Sequence, residues 1–545
     1  MQHYLAHLDA AITHYPDQLA LADYMGDDAR SYTFRQLAAQ IDRLNKLFDL
    51  LSLKPGDKVA LVGRNCANWA VAYLAIAAYR GVIVSILQDF TSADICQLIK
   101  HSDAKMLFVG PIMWEALKAE QLPPLVAVVS LSDFSLIDGD ENVQKQFFAW
   151  QSIDQSTAEE EFKGFCTYNF DDLVLINYTS GSTGNPKGVM LTNRSLSNNV
   201  DIGREILPVI PGEKVVSMLP LAHMYGQVCE LLYPLVSGCS VYFLSRTPTP
   251  QILLKALQDV QPYLVVTVPL VIEKIYKKHI APIVSKKNIR FFWHVPGIGN
   301  LIKSRVKVNL KKTFGGKLRY FLCGGAAMDV DVERCLLDVH FPLSIGYGMT
   351  ECGPLIGGEV INNFKARSSG KPVPGMEVRI DEPNENGVGE IQVRGDNLFI
   401  GYYKNEEATK AAFTRDGWFR TGDLGCLDKK KNIFIKGRLK TMILGASGQN
   451  IYPEDIESRI NSESAVAESL VVTREGKLVA LIFPDKADLN LEQFTPEKYW
   501  NSLLNKINAK LPTYSRVHHI EIMDKEFDKT PKKSIRRFLY EEKES

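Results

Sequence analysis

Residues Tyr178 to Thr192 read YTSGSTGNPKGVMLT, and their side-chain types suit the wrapping of an anion. Gly181, Gly184 and Gly188 let backbone N–H groups approach a ligand closely. Thr179, Ser180, Ser182 and Thr183 add hydroxyl donors, and Lys187 adds a positive charge. The spacing is not that of a P-loop, because no Gly-Lys-Ser/Thr follows Gly181 at the required distance. A plain Ser/Gly linker would have a similar composition. It would not need the apolar run Leu173 to Ile176 before it, the Pro-Lys-Gly ending, or the β-prone run Val189 to Leu191 after it. The stretch therefore reads as a phosphate-binding loop of another kind.

The elements that must hold this loop alternate between two periods. Thr33-Phe34-Arg35-Gln36 has the form of a capping box, and an amphipathic run follows to Leu51. Lys58 to Val62, Val82 to Leu87 and Lys105 to Val109 are strand-like. Between them lie an alanine-rich helical run, Trp69 to Tyr79, and a helical pattern, Ser92 to His101. After the loop come strand-like Lys214 to Met218, Ser240 to Leu244, Leu264 to Val268 and Leu318 to Cys323, with a helix expected from Tyr225 to Val236. This alternation implies βα units and mainly parallel sheets. The last of these strands ends in Gly324-Gly325, which places a ligand crevice at its carboxyl end.

The texture changes near Gly370. Met376 to Ile380, Gly389 to Arg394, Trp418 to Thr421 and Asn432 to Ile435 are short β runs broken by Gly, Pro and Asn, as in a small β-barrel or meander. Beyond Arg438 an α+β pattern returns. It has a helix from Tyr452 to Asn461 and a hairpin, Ser469 to Thr473 with Leu478 to Phe483, across Arg474-Glu475-Gly476-Lys477. The expected fold is α/β plus β. A large N-terminal domain (1–437) comprises parallel α/β subdomains to about 365 and a β-barrel over about 366–437, and a small mobile α+β lid (438–545) follows, with a hinge near 440.

The length of 545 residues suggests about three or four domain-sized units, and 46% hydrophobic content is ample for large cores. Lys+Arg and Asp+Glu balance at 63 each, which argues against a bulk nucleic-acid binder. Nine cysteines, with no CxxC and no Cys/His cluster at zinc spacing, read as reduced and mostly buried. The N-terminal run lacks a basic segment followed by an apolar one, and no apolar run reaches a membrane-spanning length, so a cytoplasmic site is expected. Ser285 to Tyr320 stands apart. It carries ten Lys/Arg and no Asp or Glu, interleaved with Phe291, Phe292, Trp293 and Ile298. Such a surface suits an anionic membrane or a polyphosphate ligand, and equally a solvated insertion, so peripheral membrane contact stays open.

Six motifs in order resemble the adenylate-forming superfamily of acyl-CoA synthetases, luciferases and peptide-synthetase adenylation domains. They are YTSGSTGNPKG, LPLAHMYG (Leu219 to Gly226), CGGAAM (Cys323 to Met328), GYGMTE (Gly346 to Glu351), WFRTGDLG (Trp418 to Gly425), and KGRLKTMI (Lys436 to Ile443) leading into GQNIYPEDIE (Gly448 to Glu457). The resemblance spans nearly the whole chain, and its texture is most similar to bacterial long-chain fatty acid–CoA ligases. It implies that a carboxylate attacks the α-phosphorus of ATP and that the CoA thiol then displaces AMP. No protein nucleophile is needed, so catalysis is positioning and charge stabilisation.

The resemblance also implies residue roles. Thr179, Ser180, Gly181, Ser182, Thr183, Gly184 and Lys187 would embrace the β and γ phosphates. Gly324, Gly325 and Ala326 would line the acyl-adenylate, and Tyr347 would stack on adenine. Thr350 would donate to the α-phosphate, and Glu351 would hold Mg²⁺, which takes only one or two carboxylates besides phosphate oxygens. Asp423 would accept from the ribose hydroxyls with help from Arg438, and Lys440 would sit at the hinge. His223 falls near the expected acyl carboxylate, and zinc is not expected because no second ligand sits at helical spacing from it.

Two departures from the family pattern stand out. The usual terminal lysine lies in a Thr-Pro-x-Gly-Lys-Ile context. Here DKTPKKSIRR, Asp528 to Arg537, puts Ser534 at the lysine position and Lys533 at the glycine position. Either Lys533 or Lys532 re-enters through a shifted loop, which the intact motifs favour, or adenylation is impaired and the chain is a weak enzyme that binds nucleotide and acid. The loop Leu444-Gly445-Ala446-Ser447-Gly448 is also one residue longer than the common form.

The acyl pocket is expected between His223-Met224-Tyr225, Val268-Pro269, Gly324 to Ala327 and Gly346 to Met349. No Asp in GYGMTE marks an amino-acid site. Burial at about 0.8 kcal/mol per methylene would let an apolar tunnel select medium or long chains. The acceptor is CoA or, as the alternative, a free acyl carrier protein. No feature sets an oligomeric state.

Overall fold

The computed structural model describes residues 1–24, 29–152, 164–165, 169–179, 186–244, 249–284, 286–359, 365–444, 449–463, 465–485, 496–530 and 534–541. Two large α/β sheets form the body. The first runs Gly401–Tyr402, Lys187–Thr192, Leu173–Thr179, Val82–Ile86, Lys58–Val62, Met106–Val109, Ala127–Ser130, Leu136–Asp138 in spatial order. Its interior from Leu173–Thr179 to Ala127–Ser130 is parallel. The strands that carry the anion loop are not. Leu173–Thr179 and Lys187–Thr192 form an antiparallel hairpin in which Thr179 faces Lys187.

The second sheet holds nine strands, six of them in one parallel block: Leu19–Tyr24, Ser240–Leu244, Lys214–Ser217, Leu264–Thr267, Tyr320–Gly324 and Leu343–Gly348. Buried on both faces, these strands read as near-continuous apolar runs, as parallel sheets require. The capping box forms as expected. Thr33 accepts from the Gln36 amide, the Gln36 side chain accepts from the Thr33 amide, and the helix Phe34–Leu50 follows.

The helix expected over Tyr225 to Val236 is instead three pieces: Met224–Gly226, a π-helical turn Gln227–Leu232, and Tyr233–Val236. Pro234 has no N–H to continue a regular ladder, and the wider turn lets both Gln227 and Glu230 reach the preceding loop.

The third unit is a four-stranded antiparallel meander, Glu377–Asp381, Gly389–Arg394, Phe419–Leu427 and Ile433–Arg438, each paired with the next. A last, three-stranded sheet pairs Val466–Arg474 with Lys477–Pro484 and the latter with His519–Ile522. Its hairpin turns through Glu475 and Gly476, both at positive φ (49° and 72°), as a tight two-residue turn demands. Alternate residues of this sheet face two cores: Val471, Ala480 and Ile482 pack with helices Pro453–Asn461 and Pro496–Asn508, and Leu470, Val472, Val479 and Leu481 pack with Phe527.

Ser285 to Tyr320 is not simply a solvated insertion. The helix Ile298–Thr313 buries Val306 and Leu310 in the same core as Trp293, Phe314, Phe321 and Phe341. The described cysteines are all free thiols, five of the eight buried. Among the described residues, no helix is long and apolar enough to cross a membrane.

Candidate active site

The crevice opens at the carboxyl ends of strands Tyr320–Gly324 and Leu343–Gly348, where Gly324 lies opposite Gly346. Space is tight on the sheet side. A Cβ on Gly324 would sit 3.0 Å from the Gly346 carbonyl oxygen and 3.3 Å from the Tyr225 hydroxyl. That hydroxyl donates across both strand ends, to the Thr267 and Leu322 carbonyls at 3.2 Å each. Gly325 then turns with φ +85°, a conformation that favours glycine, and Gly325, Ala326 and Ala327 stand exposed. A Cβ on Gly325 would touch Val268 Cγ1 at 3.7 Å. The segments expected to shape an acyl pocket, at 225, 268, 324–327 and 346–349, thus converge. Gly348 is required for another reason: a Cβ there would lie 1.8 Å from the Pro354 carbonyl oxygen.

On the phosphate side, Thr179 ends its strand with its hydroxyl 3.5 Å from the Lys187 carbonyl. Ser180, Gly181, Ser182, Thr183 and Gly184 lie outside the described residues. Lys187 and Glu351 both contact Tyr402, a residue that sequence reasoning missed. Lys187 Nζ lies 4.8 Å from the Tyr402 ring centroid, and the Tyr402 hydroxyl donates to Glu351 Oε1 at 3.0 Å. Tyr402 is placed by the short strand Gly401–Tyr402, which pairs with Val189 and Met190 of the loop's own hairpin. Thr350 is buried and Glu351 half-buried in a 3₁₀ turn, where the Glu351 carbonyl accepts from the Phe399 amide at 2.8 Å. The YY pair Tyr402-Tyr403 carried no motif signal; only its position in a β-prone aromatic run could have marked it.

Tyr347, Asp423 and Arg438 form a second cluster. The Tyr347 hydroxyl donates to Asp423 Oδ2 at 2.7 Å, a bond the expected adenine-stacking role did not anticipate. Arg438 Nε reaches Asp423 Oδ1 at 3.2 Å from directly across the meander, where residues 423 and 438 are register partners. Burial pushes the Asp423 carboxyl up, while Arg438 and the Tyr347 hydroxyl pull it back down. Burial and the neighbouring carboxylate together hold the Tyr347 hydroxyl far above its usual range, so it stays a donor.

His223 sits on a loop that is fastened from every side. Its Nδ1 accepts from the Tyr225 amide at 3.2 Å, starting the helical turn. Glu230, fully buried, accepts from the Met218 amide at 3.2 Å, the Leu219 amide at 3.0 Å and the Ser217 hydroxyl at 3.0 Å. Asn65 donates to the Leu219 carbonyl at 2.6 Å and accepts from the Leu221 amide at 2.9 Å. Asn177 donates to the Ala222 carbonyl at 2.8 Å, and Gln227 to the Leu221 carbonyl at 3.2 Å. Burial pushes the Glu230 carboxyl well above the usual carboxylate range. These four residues were also missed. For Asn177, Gln227 and Glu230 the signal is a polar side chain in an apolar run, LVLINY and QVCELL, whereas Asn65 in GRNCAN has none.

Comparison with known proteins decides the family. A family model for AMP-binding enzymes matches residues 8–403, and a model for the C-terminal domain of AMP-binding enzymes matches 440–543. The chain belongs to the adenylate-forming AMP-binding enzymes. Within them it is an acyl-CoA synthetase. It is 30% identical over 447 residues to the long-chain-fatty-acid–CoA ligase FadD15 of Mycobacterium bovis, covering 77% of this chain and 72% of that protein. It is 27% identical over 519 residues to the rat long-chain-fatty-acid–CoA ligase ACSBG1, covering 89% and 71%. The fold is shared with the o-succinylbenzoate–CoA synthetase of Bacillus subtilis in complex with ATP and magnesium, at TM-score 0.72 and 20% identity over 98% of both chains.

In this AMP-binding enzyme the donor set fits a nucleotide and Mg²⁺. A half-buried Glu351 faces the loop stem beside Lys187, and a hard cation there would be held by one carboxylate and phosphate oxygens. Among the described residues no three His, Cys, Asp or Glu side chains group so as to hold a metal ion. Lys440 lies in the turn after strand Ile433–Arg438, anchored by the Leu439 amide to the Gly422 carbonyl at 2.8 Å. Lys532 and Lys533 lie outside the described residues, as does most of the 444–448 loop. Their neighbours are firmly held. Ser534 is exposed and its carbonyl accepts from the Thr530 amide at 2.8 Å, Lys529 pairs with Glu468 at 2.7 Å, and Arg537 grips Glu457 with contacts at 2.7 and 2.8 Å.

Proposed function

We propose that this acyl-CoA synthetase activates a medium- or long-chain fatty acid. The carboxylate oxygen attacks the α-phosphorus of ATP, the bond to the bridging oxygen breaks and pyrophosphate leaves. The CoA sulfur then attacks the acyl carbon, the acyl–oxygen bond breaks and AMP leaves, while the thiol proton passes to solvent. The observation that carries this reading is the link Lys187–Tyr402–Glu351, which sets a cation and a carboxylate beside the stem of the anion loop and next to a crevice floored by small residues. Long-chain naming of the relatives supports the choice of acid.

In this reading Lys187 and residues 179–184 hold the departing pyrophosphate. Thr350 donates to the α-phosphate, Asp423 with Arg438 takes the ribose, Tyr347 packs on adenine, and Gly324, Gly325 and Ala326 line the adenylate. His223, fixed by its fastened loop, faces the acyl carboxylate. Mg²⁺ on Glu351 supplies charge neutralisation of the phosphate oxygens. The chain divides into 1–437 and 438–545, and the small domain turns about Lys440 between the two half-reactions.

Lys533, or Lys532 beside it, supplies the positive charge that the family takes from the position of Ser534. One charged donor at a developing negative centre is worth about 10²–10³ in rate. Lys533→Ala or Lys532→Ala is therefore expected to slow pyrophosphate release by about that factor; if neither does, the shifted-lysine assignment fails. Ser534 itself favours a second reading, a weak enzyme that binds nucleotide and acid. Incubation with ATP, a panel of fatty acids, and either CoA or acyl carrier protein separates the cases. AMP and thioester with CoA are expected, thioester only with the carrier would redirect the acceptor, and binding without AMP would support the weak enzyme.

A further inference from the structure

We propose that residues 286–320 form a docking surface for an anionic lipid bilayer. This inference does not depend on which acid is activated. The segment carries ten Lys/Arg and no acidic residue, in a chain whose charges balance only when this segment is included. Its fold separates an anchoring side from a presenting side. Trp293, 9% exposed, donates its indole N–H to Asp338 at 3.0 Å, and Val306 and Leu310 sink into the core beneath it. On the opposite face of helix Ile298–Thr313, Leu301, Arg305, Val308 and Lys312 follow the spacing of one helical stripe. All four are exposed, Leu301 at 66%. The preceding helix, Lys287–Phe292, adds Phe291, 72% exposed and set edge-to-face on Phe292 at 5.2 Å, with Lys287 and Arg290 also exposed.

Large apolar groups held in water beside cations, in a segment that carries no acid of its own, match the two layers of an anionic leaflet. Headgroup phosphates would meet the cations, and the acyl boundary would receive Phe291, Leu301 and Val308. The position suits a supply route for amphiphiles. In sequence the segment joins the helices that follow Val268 to the strand Tyr320–Gly324, so both of its ends lead into walls of the crevice. A purely electrostatic partner would not call for a 72%-exposed phenylalanine beside the exposed Arg290.

The test uses the full-length protein in vesicle flotation, with phosphatidylcholine vesicles compared with vesicles rich in phosphatidylglycerol. Partition is expected into the anionic vesicles only, and to weaken as salt rises. Each surface cation contributes about 1 kcal/mol, so losing two lowers partition about 30-fold, and R305E/K312E, which also adds two repelling charges, is expected to lower it by at least that much. F291S/L301S is expected to lower it as well, while F148S, which alters another exposed phenylalanine (76%) far along the chain, leaves it unchanged. These side chains are exposed, so unchanged thermal melting confirms that the variants fold. Equal partition into both vesicle types, or an R305E/K312E protein that binds like the parent, overturns the proposal. No partition at all overturns it too and leaves the surface to an acidic protein or a nucleic acid.

Discussion

Two buried carboxylates lie near the crevice, and they are held in opposite ways. Glu230 is fully buried and takes all its described bonds from fixed donors: two backbone amides and the Ser217 hydroxyl. Asp423 is also buried, but its partners are a tyrosine hydroxyl and an arginine that is 64% exposed and stands at the proposed hinge. The first arrangement has nothing to exchange, so it fixes a loop. The second can trade a water-facing guanidinium for a ligand, because Arg438 keeps most of its side chain in solvent and a bound ligand would take over its place beside the buried carboxylate. Rigidity is thus concentrated under the residue expected to meet the acyl carboxylate, and adaptability where the nucleotide and the small domain are proposed to meet.

Breaking the rigid side should have the largest effect. Glu230→Ala strands two amides and a hydroxyl in the core, each costing about 1–3 kcal/mol, so urea unfolding should show a loss of about 3 kcal/mol or more. A loss under about 1 kcal/mol would mean the loop is held by Asn65 and Asn177 without it. Charge gives a second reading of the same site. The folded carboxyl keeps its proton at pH values where the unfolded one has lost it, so it stabilises least after deprotonation. Its contribution is present below the ordinary carboxylate range and is lost as pH rises through the raised value. Glu230→Gln should flatten that decline in a melting-versus-pH series.

The adaptable side should show the reverse pattern. Asp423→Asn keeps the shape and an acceptor for Tyr347 but loses the charge, and hydrogen bonds to charged groups are worth about 1.5–3 kcal/mol. The ATP concentration for half-maximal rate should rise about 10–100-fold with little change in melting. The smallest effect is expected from Arg438→Lys on stability, under about 1 kcal/mol by denaturant unfolding, because a cation is kept beside Asp423 and the replaced guanidinium is mostly in solvent. A larger loss would show that the Asp423 junction is structural after all.

The parallel body of the fold was legible because doubly buried strands leave unbroken apolar runs. Lys58–Val62 and Ser240–Leu244 appear with the bounds their composition indicates. At the candidate site the sequence singled out Gly324, Gly325, Tyr347, Glu351 and Asp423 by residue type, and the fold gives each a defined set of neighbours, while their roles toward a ligand belong to the proposed function. What escaped is contact at long range. Tyr402 reaches Glu351 across 51 residues and Asn65 reaches Leu221 across 156, and no local pattern encodes either. The π-turn escaped for a related reason, since an apolar helical period looks the same until Glu230 is seen to bond backward to residues 217–219.

The central claim is that the crevice forms an acyl-adenylate from a fatty acid. Exchange of labelled pyrophosphate into ATP by the intact protein tests it without CoA or the second half-reaction. Label should enter ATP only when a medium- or long-chain fatty acid is present. ATP binding with no exchange for any acid in the panel would contradict it.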